Sequence, residues 1–264
     1  MVTIILVVYK SNKKQLNNIL KKIGKKYKII IVDNSYNYDF SQINIGKNVK
    51  IIRSKNNGNG AGINIALKKC NTKYAIYSDI DVSFEKSFIK NFISAGNKLK
   101  NFYLLTPNHE NIKSDEEFVE KYSGEAAIML FNLKKLKTKY LFDEKFFLYF
   151  EETDLLTRFK KKKFKSYTVT KLKIKHHRAS SIDENIERIV NVRSWHYMWS
   201  MFYYYKKNFG YFTALNTTIN YLIKDLVMIF VYAFLFDFNK FKKRFYRIFG
   251  TISSMLGFKS FLRP

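Results

Sequence analysis

Residues 1–33, MVTIILVVYKSNKKQLNNILKKIGKKYKIIIVD, contain the strand–helix–strand unit from which the fold can be predicted. The apolar, β-branched run 1–9 is typical of a fully buried strand, and apolar residues recur at helical spacing in 13–23. A second apolar run, 28–32, ends at Asp33. Two non-alternating apolar strands joined by a helix predict parallel strands in a sheet that helices cover.

The same alternation continues along the chain. Further strands are predicted at 49–53, 74–78, 102–106, 124–130 and 165–174, and further helices at 61–69, from Ser83 to about Leu99, and at 151–163. This order predicts an α/β fold with a mostly parallel, Rossmann-like sheet and helices on both faces. After about residue 183 the sequence is very aromatic and predicted to be helical, so we expect one α/β domain at 1–181 and a helical segment at 182–264.

Composition limits the classes of protein to consider. The 264 residues carry a formal net charge of +27, which favours nucleic acid, an anionic membrane or phosphorylated small molecules as partners, although a lysine-rich composition alone could produce it. The single cysteine, Cys70, excludes a disulfide framework and indicates a reducing, cytosolic environment. Residues 1–9 lack the features of a signal sequence and are too few to span a bilayer.

Two carboxylates follow the predicted strand 74–78. Ligands of α/β sheets bind outside the carboxyl ends of the strands, where Asp33 and Asp79 both lie. Asp79 and Asp81 are two residues apart, and two such oxygen ligands beside a diphosphate can hold Mg²⁺ or Mn²⁺. The alternative is an ordinary pair of turn or cap residues.

A glycine-rich stretch at 57–64, NGNGAGIN, resembles a phosphate-binding loop that opens a helix. It lacks the Lys-Ser/Thr of a P-loop. A flexible turn, or small residues that let helix and sheet pack closely, are the alternatives.

Two further groups could carry chemistry. Glu151, Glu152 and Asp154 lie at a predicted helix start beside aromatic residues, where one could act as a general base or all could simply stabilise the helix dipole. His176 and His177 follow the last strand of the domain, where one could join the aspartates as a metal ligand or serve as a hydrogen-bonding residue at the core edge.

Taken together, these segments resemble the inverting glycosyltransferase family 2, which has the GT-A fold. The resemblance covers about residues 2–181 in the family's order. It rests on the stretches VTIILVVYKS, IIIVDNS, NGNGAGIN, YSDIDV, GEAAIML, FDEKFFLYFEETDLLTRF and HHRASS. NGNGAGIN resembles the family's N-x-G-x-x-x-x-N helix start, with Asn59 at the glycine position. The stretch at 142–159 is the most specific, since it closely follows F-D-E-x-F-F-x-Y-x-E-D-x-D-L-x-x-R. Glu152 replaces an Asp of that pattern.

The resemblance implies roles for particular residues. Asp33 would contact the nucleotide base, Asp79 and Asp81 would hold Mg²⁺ or Mn²⁺ with His176, and Glu152 would be the catalytic base. Further contacts to the nucleoside diphosphate-sugar are implied for Tyr9, Asn57, Gly58, Asn64, Ile80 and Arg178, and acceptor-side positions for Gly124, Glu125, Glu151 and Asp154.

The stretch 193–211, RSWHYMWSMFYYYKKNFGY, resembles the corresponding region of rhamnosyltransferase-like members. This implies a donor such as dTDP-rhamnose and a lipid-linked or saccharide acceptor in cell-envelope polysaccharide or O-antigen synthesis.

The C-terminal helices predict a membrane-associated protein. The uninterrupted apolar run 226–236 is shorter than the ~20 residues that cross a bilayer. Basic residues follow it, as in helices that lie on anionic lipid, so we expect a cytoplasmic protein held peripherally at the inner face of the cell membrane. A helical cap on the catalytic domain and a true membrane span are the alternatives.

Two other functions fit part of the sequence. A basic nucleic-acid-binding protein would account for charge and aromatic content, but the aromatic residues lie in core-like helical runs, so we expect no nucleic-acid partner. A nucleotidyltransferase would share the nucleotide-binding sheet and would release pyrophosphate rather than a nucleoside diphosphate.

Overall fold

The computed structural model describes residues 1–177 and 186–264. The chain divides into two compact units. The first comprises Met1–Phe142 with the described part of Leu155–Asp183, and the second comprises Asp143–Asp154 with the described part of Glu184–Pro264.

The elements of the described residues alternate as the sequence predicts. The strands are β1 (Val2–Val8), β2 (Lys28–Asp33), β3 (Val49–Arg53), β4 (Tyr74–Ser78), β5 (Val82–Ser83), β6 (Leu104–Asn108), β7 (Phe118–Glu120), β8 (Ile128–Asn132), β9 (Ser166–Lys173) and β10 (Lys175–His176). The helices are α1 (Lys13–Ile23), α2 (Asn59–Lys69), α3 (Phe88–Leu99), α4 (Glu151–Lys161), α5 (Ile186–Phe209), α6 (Tyr211–Phe234) and α7 (Phe238–Met255).

Eight strands of the first unit form one sheet in the order β3-β2-β1-β4-β8-β6-β9-β7. Strands β1 to β4 pair in parallel, and so do β6 and β9. Strand β8 is inserted antiparallel between β4 and β6, and β7 is antiparallel at the edge. The predicted α/β class is therefore confirmed.

Helices cover both faces of this sheet. Because successive side chains of a strand point to opposite faces, Ile4 and Leu6 join one buried cluster while Ile5 joins the other. Apolar residues of α1 and α3 pack into the first cluster, and those of α2 and of α4 from Leu155 onward pack into the second.

Several predicted boundaries are wrong. The strands expected at 102–106 and 124–130 are Leu104–Asn108 and Ile128–Asn132. The helix expected to start at Ser83 begins at Phe88, because Val82 and Ser83 form β5 and pair with β10. This two-residue ladder fixes the segment that carries His176.

The second unit contains α5, α6 and α7, which confirms the predicted C-terminal helices. Trp195 of α5 is fully buried, and a side chain at Gly250 of α7 would meet its carbonyl oxygen at 2.3 Å, so α5 and α7 approach closely at a glycine. Among the described residues, α6 is the one helix long and apolar enough to cross a membrane, with a mean hydropathy of 1.3 over its best window.

Candidate active site

Four strands of the first unit place their ends at one rim of the sheet. Strands β4, β6 and β9 end there, and the antiparallel β8 begins there, because Ser78 of β4 pairs with Ile128 of β8. The backbone N–H of Asp79 donates to the carbonyl of Ala127 at 2.9 Å. The residues that follow β4, β6 and β9 therefore lie at this rim, together with the residues that precede β8.

Asp79, Asp81 and His176 converge at this rim. One ligand atom from each lies within 4.8 Å of the other two. Nε2 of His176 is 3.2 Å from Oδ1 of Asp81 and 3.6 Å from Oδ2 of Asp79. The backbone also joins these segments, since the N–H of His177 donates to the carbonyl of Asp81 at 2.8 Å. Two carboxylates and an imidazole are a donor set that suits Mn²⁺ or Mg²⁺.

The electrostatics of this cluster favour a bound cation. Burial raises the pKa of Asp79 to about 6; the Tyr77 hydroxyl opposes the rise and the nearby Asp81 carboxylate adds to it. The hydrogen bond to Asp81 raises the pKa of His176 above its usual value. Two carboxylates held this close repel each other, so positive charge between them is stabilising.

A hydrogen-bonded chain that the sequence did not reveal supports Asp79. The hydroxyl of Tyr77, a fully buried residue of β4, donates to Asp79. Nδ2 of Asn59, at the start of α2, donates to the same hydroxyl at 2.8 Å. Tyr77 and Asp79 are two residues apart, which places their side chains on one side of an extended segment, and this spacing is the sequence feature that could have identified Tyr77.

The glycine-rich stretch allows close packing at the start of α2. A side chain at Gly60 would meet Phe142 at 2.9 Å, and one at Gly62 would meet Val7 at 2.8 Å. Gly58 has a φ of 101°, a conformation that favours glycine. These contacts support the packing alternative, while the nucleotide-binding role of Gly58 stays a prediction.

Asn57 and Asn64 have different surroundings. Asn57 is exposed, whereas Asn64 is fully buried. The Oδ1 atom of Asn64 accepts from the backbone N–H groups of Leu141 and Phe142 at 2.9 and 3.0 Å. Asn64 thus fixes the backbone at Leu141 and Phe142. Its predicted contact with the nucleotide stays a prediction.

Asp33 is fully buried at the end of β2. Its two carboxylate oxygens accept from the backbone N–H groups of Ser35 and Tyr38 at 2.8 and 3.0 Å. Tyr9, beyond β1, is half-buried, and its N–H donates to Ser11. Asp33 therefore shapes the loop that follows it, and base recognition by Asp33 and Tyr9 stays a prediction.

The remaining predicted residues of the first unit lie close to the cation cluster or outside the described residues. Ile80 is buried between the two aspartates in sequence. Gly124, with a φ of 85°, turns the chain before the exposed Glu125. Arg178 lies outside the described residues.

The predicted base, Glu152, and two predicted acceptor-side acids, Glu151 and Asp154, lie at the start of α4 and belong to the second unit. Glu151 is buried and Glu152 is half-buried. Asp154 is fully buried, with a carboxylate oxygen 2.8 Å from Nζ of Lys207 and Oδ1 3.0 Å from Nδ2 of Asn208. Asp154 therefore forms an ion pair with α5, and its acceptor-side role stays a prediction.

A basic cleft adjoins the cation cluster. Asp81 lines a cleft of about 460 Å³ together with Lys21, Lys22, Lys86 and His177. Three ammonium groups beside the Asp81 carboxylate would attract an anionic ligand that also contacts a cation bound there.

Comparisons with known proteins identify a family and a fold for this chain. Residues 3–161 match the family model described as Glycosyl transferase family 2. Two solved structures share the GT-A-like fold at 11% sequence identity. The mannosyltransferase PcManGT from Pyrobaculum calidifontis, in complex with GDP-Man and Mn²⁺, has a TM-score of 0.55 over 96% of this chain and 86% of that chain. GalNAc-T7, with UDP, GalNAc and Mn²⁺, has a TM-score of 0.54 over 76% of this chain and 50% of that chain. No curated protein matches the sequence.

Proposed function

Since the chain belongs to glycosyl transferase family 2, we propose that it transfers a sugar from a nucleoside diphosphate-sugar to an acceptor hydroxyl, with inversion at the anomeric carbon. The observation that carries this proposal is the convergence of Asp79, Asp81 and His176 within 4.8 Å at one rim of the sheet. The cation seen with both similar structures is Mn²⁺.

The residues of the rim fit a divalent cation and a diphosphate. Asp79, Asp81 and His176 would hold Mg²⁺ or Mn²⁺, and Tyr77 would orient the Asp79 carboxylate. Bound there, the ion would neutralise charge that develops on the leaving diphosphate. In this proposal Asp33 reads the base, with Tyr9 beside it.

Glu152 is proposed as the catalytic base. It is half-buried in the first turn of α4, where the helix dipole favours an ionised carboxylate. It would accept the acceptor's hydroxyl proton while that oxygen attacks the anomeric carbon. The new carbon–oxygen bond forms on the face opposite the breaking bond to the diphosphate, which inverts the centre.

The donor class can be tested directly. We propose dTDP-rhamnose as donor and a lipid-linked or saccharide acceptor of a cell-envelope polysaccharide, on the strength of the stretch 193–211. The similar structures contain GDP-Man, and UDP with GalNAc. Sugars linked to GDP and to UDP are therefore tested as donors alongside dTDP-rhamnose.

The test measures the released products from each donor with Mn²⁺, Mg²⁺ or EDTA. We expect the wild-type protein to release a nucleoside diphosphate from one class of donor when a divalent cation is present. Asp81→Asn should not release it. Asp115→Asn, the same change at an exposed aspartate, is the matched control. Release of pyrophosphate instead would indicate a nucleotidyltransferase and contradict the proposal.

The second unit is proposed to dock on an anionic membrane surface at the cytoplasmic face. Large apolar side chains at helical spacing are exposed on α6, with Phe230 at 74% and Phe234 at 83% exposure. From Trp195 onward the chain has ten Lys and Arg and two Asp. An exposed apolar stripe flanked by basic residues is the pattern of an interfacial helix.

Two charged residues, Lys224 and Asp225, interrupt the apolar part of α6. Lys224 is exposed and basic, and the acid is compatible with this placement. Asp225 is buried and pairs with Arg244 and Arg247 of α7 at 2.7 and 2.6 Å. The carboxylate is therefore neutralised within the helical unit, which leaves the exposed stripe of α6 without an acid facing lipid.

Vesicle flotation tests the docking proposal. The full chain should float with vesicles that contain anionic lipid and bind much less to zwitterionic vesicles. Phe230→Glu combined with Phe234→Glu should abolish flotation, whereas Tyr140→Glu, a charge added at an exposed aromatic of the first unit, should not. Equal flotation of all three proteins would discard membrane docking.

A further inference from the structure

A second group of potential ligands lies beside the cation cluster. His109 follows β6, Glu125 precedes β8, and His176 lies in β10. Strands β6 and β8 are antiparallel, with Leu104 opposite Phe131, so the end of β6 and the segment before β8 meet at the same rim. The parallel pairing of β6 with β9 brings the chain that leads to His176 to that rim as well.

The geometry of this group is that of a metal site. One ligand atom from each of His109, Glu125 and His176 lies within 4.8 Å of the other two. The two imidazole rings are 5.6 Å apart between centroids, at an interplanar angle of 62°. Nδ1 of His176 is buried and has no hydrogen-bond partner among the described residues, whereas Nε2 faces the two aspartates. His176 therefore has a second nitrogen that the Asp79–Asp81 pair does not use.

We propose that His109, Glu125 and His176 form a second divalent-cation site that prefers Zn²⁺. Two imidazole nitrogens and one carboxylate with an open position are a common zinc donor set. The neighbouring group contains two carboxylates and a single imidazole, which favours the harder Mg²⁺ or Mn²⁺. The two sites thus differ in ligand chemistry although they are adjacent.

The two sites share the His176 imidazole through its two nitrogens, so cations bound at both sites would repel each other. The negative charge of Glu125 helps to raise the pKa of both Asp79 and His176, so Glu125 is close enough to interact with both residues. Zinc on Nδ1 would draw electron density from Nε2 and add positive charge nearby, which would weaken the cation held by Asp79 and Asp81. Zinc therefore inhibits Mn²⁺-dependent turnover; this consequence rests on the proposed function, whereas zinc binding itself does not.

Metal binding by the full-length protein provides the test. Zn²⁺ affinity is measured by equilibrium dialysis, and Co²⁺ serves as a spectroscopic probe of imidazole coordination. His109→Gln should weaken Zn²⁺ binding at least about tenfold, while leaving Mn²⁺ binding unchanged. Asp81→Asn should give the reverse pattern. Glu85→Gln, a change at an exposed glutamate outside the group, should leave Zn²⁺ affinity within about twofold of wild type.

The outcomes separate this proposal from the proposed function. Zn²⁺ affinity that is unchanged in His109→Gln, or that falls equally in Asp81→Asn and His109→Gln, overturns the second site. Loss of Mn²⁺ binding in Asp81→Asn would still support the first site in either case. Circular dichroism and thermal unfolding of each variant verify that a lost affinity does not reflect a lost fold.

Discussion

Nε2 of His176 lies 3.2 Å from Oδ1 of Asp81, and a ladder of only two residues on each strand sets this distance. His176 pairs with Val82, the neighbour of Asp81, and Lys175 pairs with Ser83. Residues far apart in sequence are thus brought together through β5 and β10. This geometry is the basis for proposing His176 as a cation ligand, since Nε2 faces both aspartates.

Substituting His176 should weaken the cation site without destroying the fold. His176→Gln removes the imidazole and retains a polar side chain of similar length. We expect the Mn²⁺ concentration for half-maximal turnover to rise at least about tenfold, with much of the activity restored at high Mn²⁺. Asp115→Asn, at an exposed aspartate, should behave as wild type in this assay. Equal Mn²⁺ dependence of the two variants would exclude His176 as a ligand.

Substituting Glu152 should affect turnover rather than donor binding. Glu152→Gln keeps the size of the side chain but cannot accept a proton, so the rate should fall about 10²- to 10⁴-fold. Isothermal titration with the nucleotide should give an affinity close to that of wild type. Glu85→Gln, at an exposed glutamate of the first unit, is the matched control. Near-normal turnover of Glu152→Gln would eliminate Glu152 as the base.

Asp154 should be important for stability because it is buried in an ion pair. Asp154→Asn leaves Lys207 with Asp143 as its remaining carboxylate partner and should lower the free energy of unfolding by about 1–3 kcal/mol. Asp115→Asn, at an exposed position, should change it by less than about 0.5 kcal/mol. Thermal and denaturant unfolding provide the measurement. A stable Asp154→Asn protein with weakened acceptor binding would instead favour the acceptor-side role.

Acid should destabilise the second unit through His196. Burial lowers the pKa of His196 to about 4; the nearby Arg263 guanidinium contributes to this, and a hydrogen bond to the carbonyl of Leu262, at 2.7 Å from Nε2, opposes it. Its pKa when unfolded is near 6.5, so the unfolded chain binds the proton first and stability falls as the pH drops from about 6.5 through 4. The loss is on the order of 3 kcal/mol.

Tryptophan fluorescence can follow this transition, because both tryptophans of the chain, Trp195 and Trp199, lie in the second unit. Denaturant unfolding is compared between wild type and His196→Gln at several pH values. The variant keeps a donor for Leu262 but does not titrate, so its stability should depend less on pH over this range. Parallel pH profiles would show that His196 does not contribute.

The sequence predicted most of the fold because the strands are buried and locally apolar. The helix 13–23 and the strands 49–53 and 74–78 have the predicted bounds, since hydrophobic periodicity alone defines them. Strand β7 was missed because it has three residues and lies at the sheet edge. The ladder of β5 and β10 is too short to leave a hydrophobic pattern.

The site was predictable in part. Asp79 and Asp81 could be identified because they follow a buried strand, and His176 because it follows another. The roles of Tyr77 and His109 depend on which strands become neighbours, which local sequence does not encode. Local sequence also does not encode the association of residues 143–154 with the C-terminal helices. It depends on long-range contacts such as the hydrogen bond from the Ser200 hydroxyl to the Leu148 carbonyl at 2.8 Å.

The most direct test of the central claim is calorimetric titration of a nucleoside diphosphate into the protein, with Mn²⁺ and with EDTA. A single pocket for cation and diphosphate at Asp79, Asp81 and His176 predicts tight binding with Mn²⁺ that weakens at least about tenfold in EDTA or in Asp81→Asn. Asp115→Asn should bind as wild type does. Equal affinity with and without Mn²⁺, or an Asp81→Asn protein indistinguishable from wild type, would contradict the account.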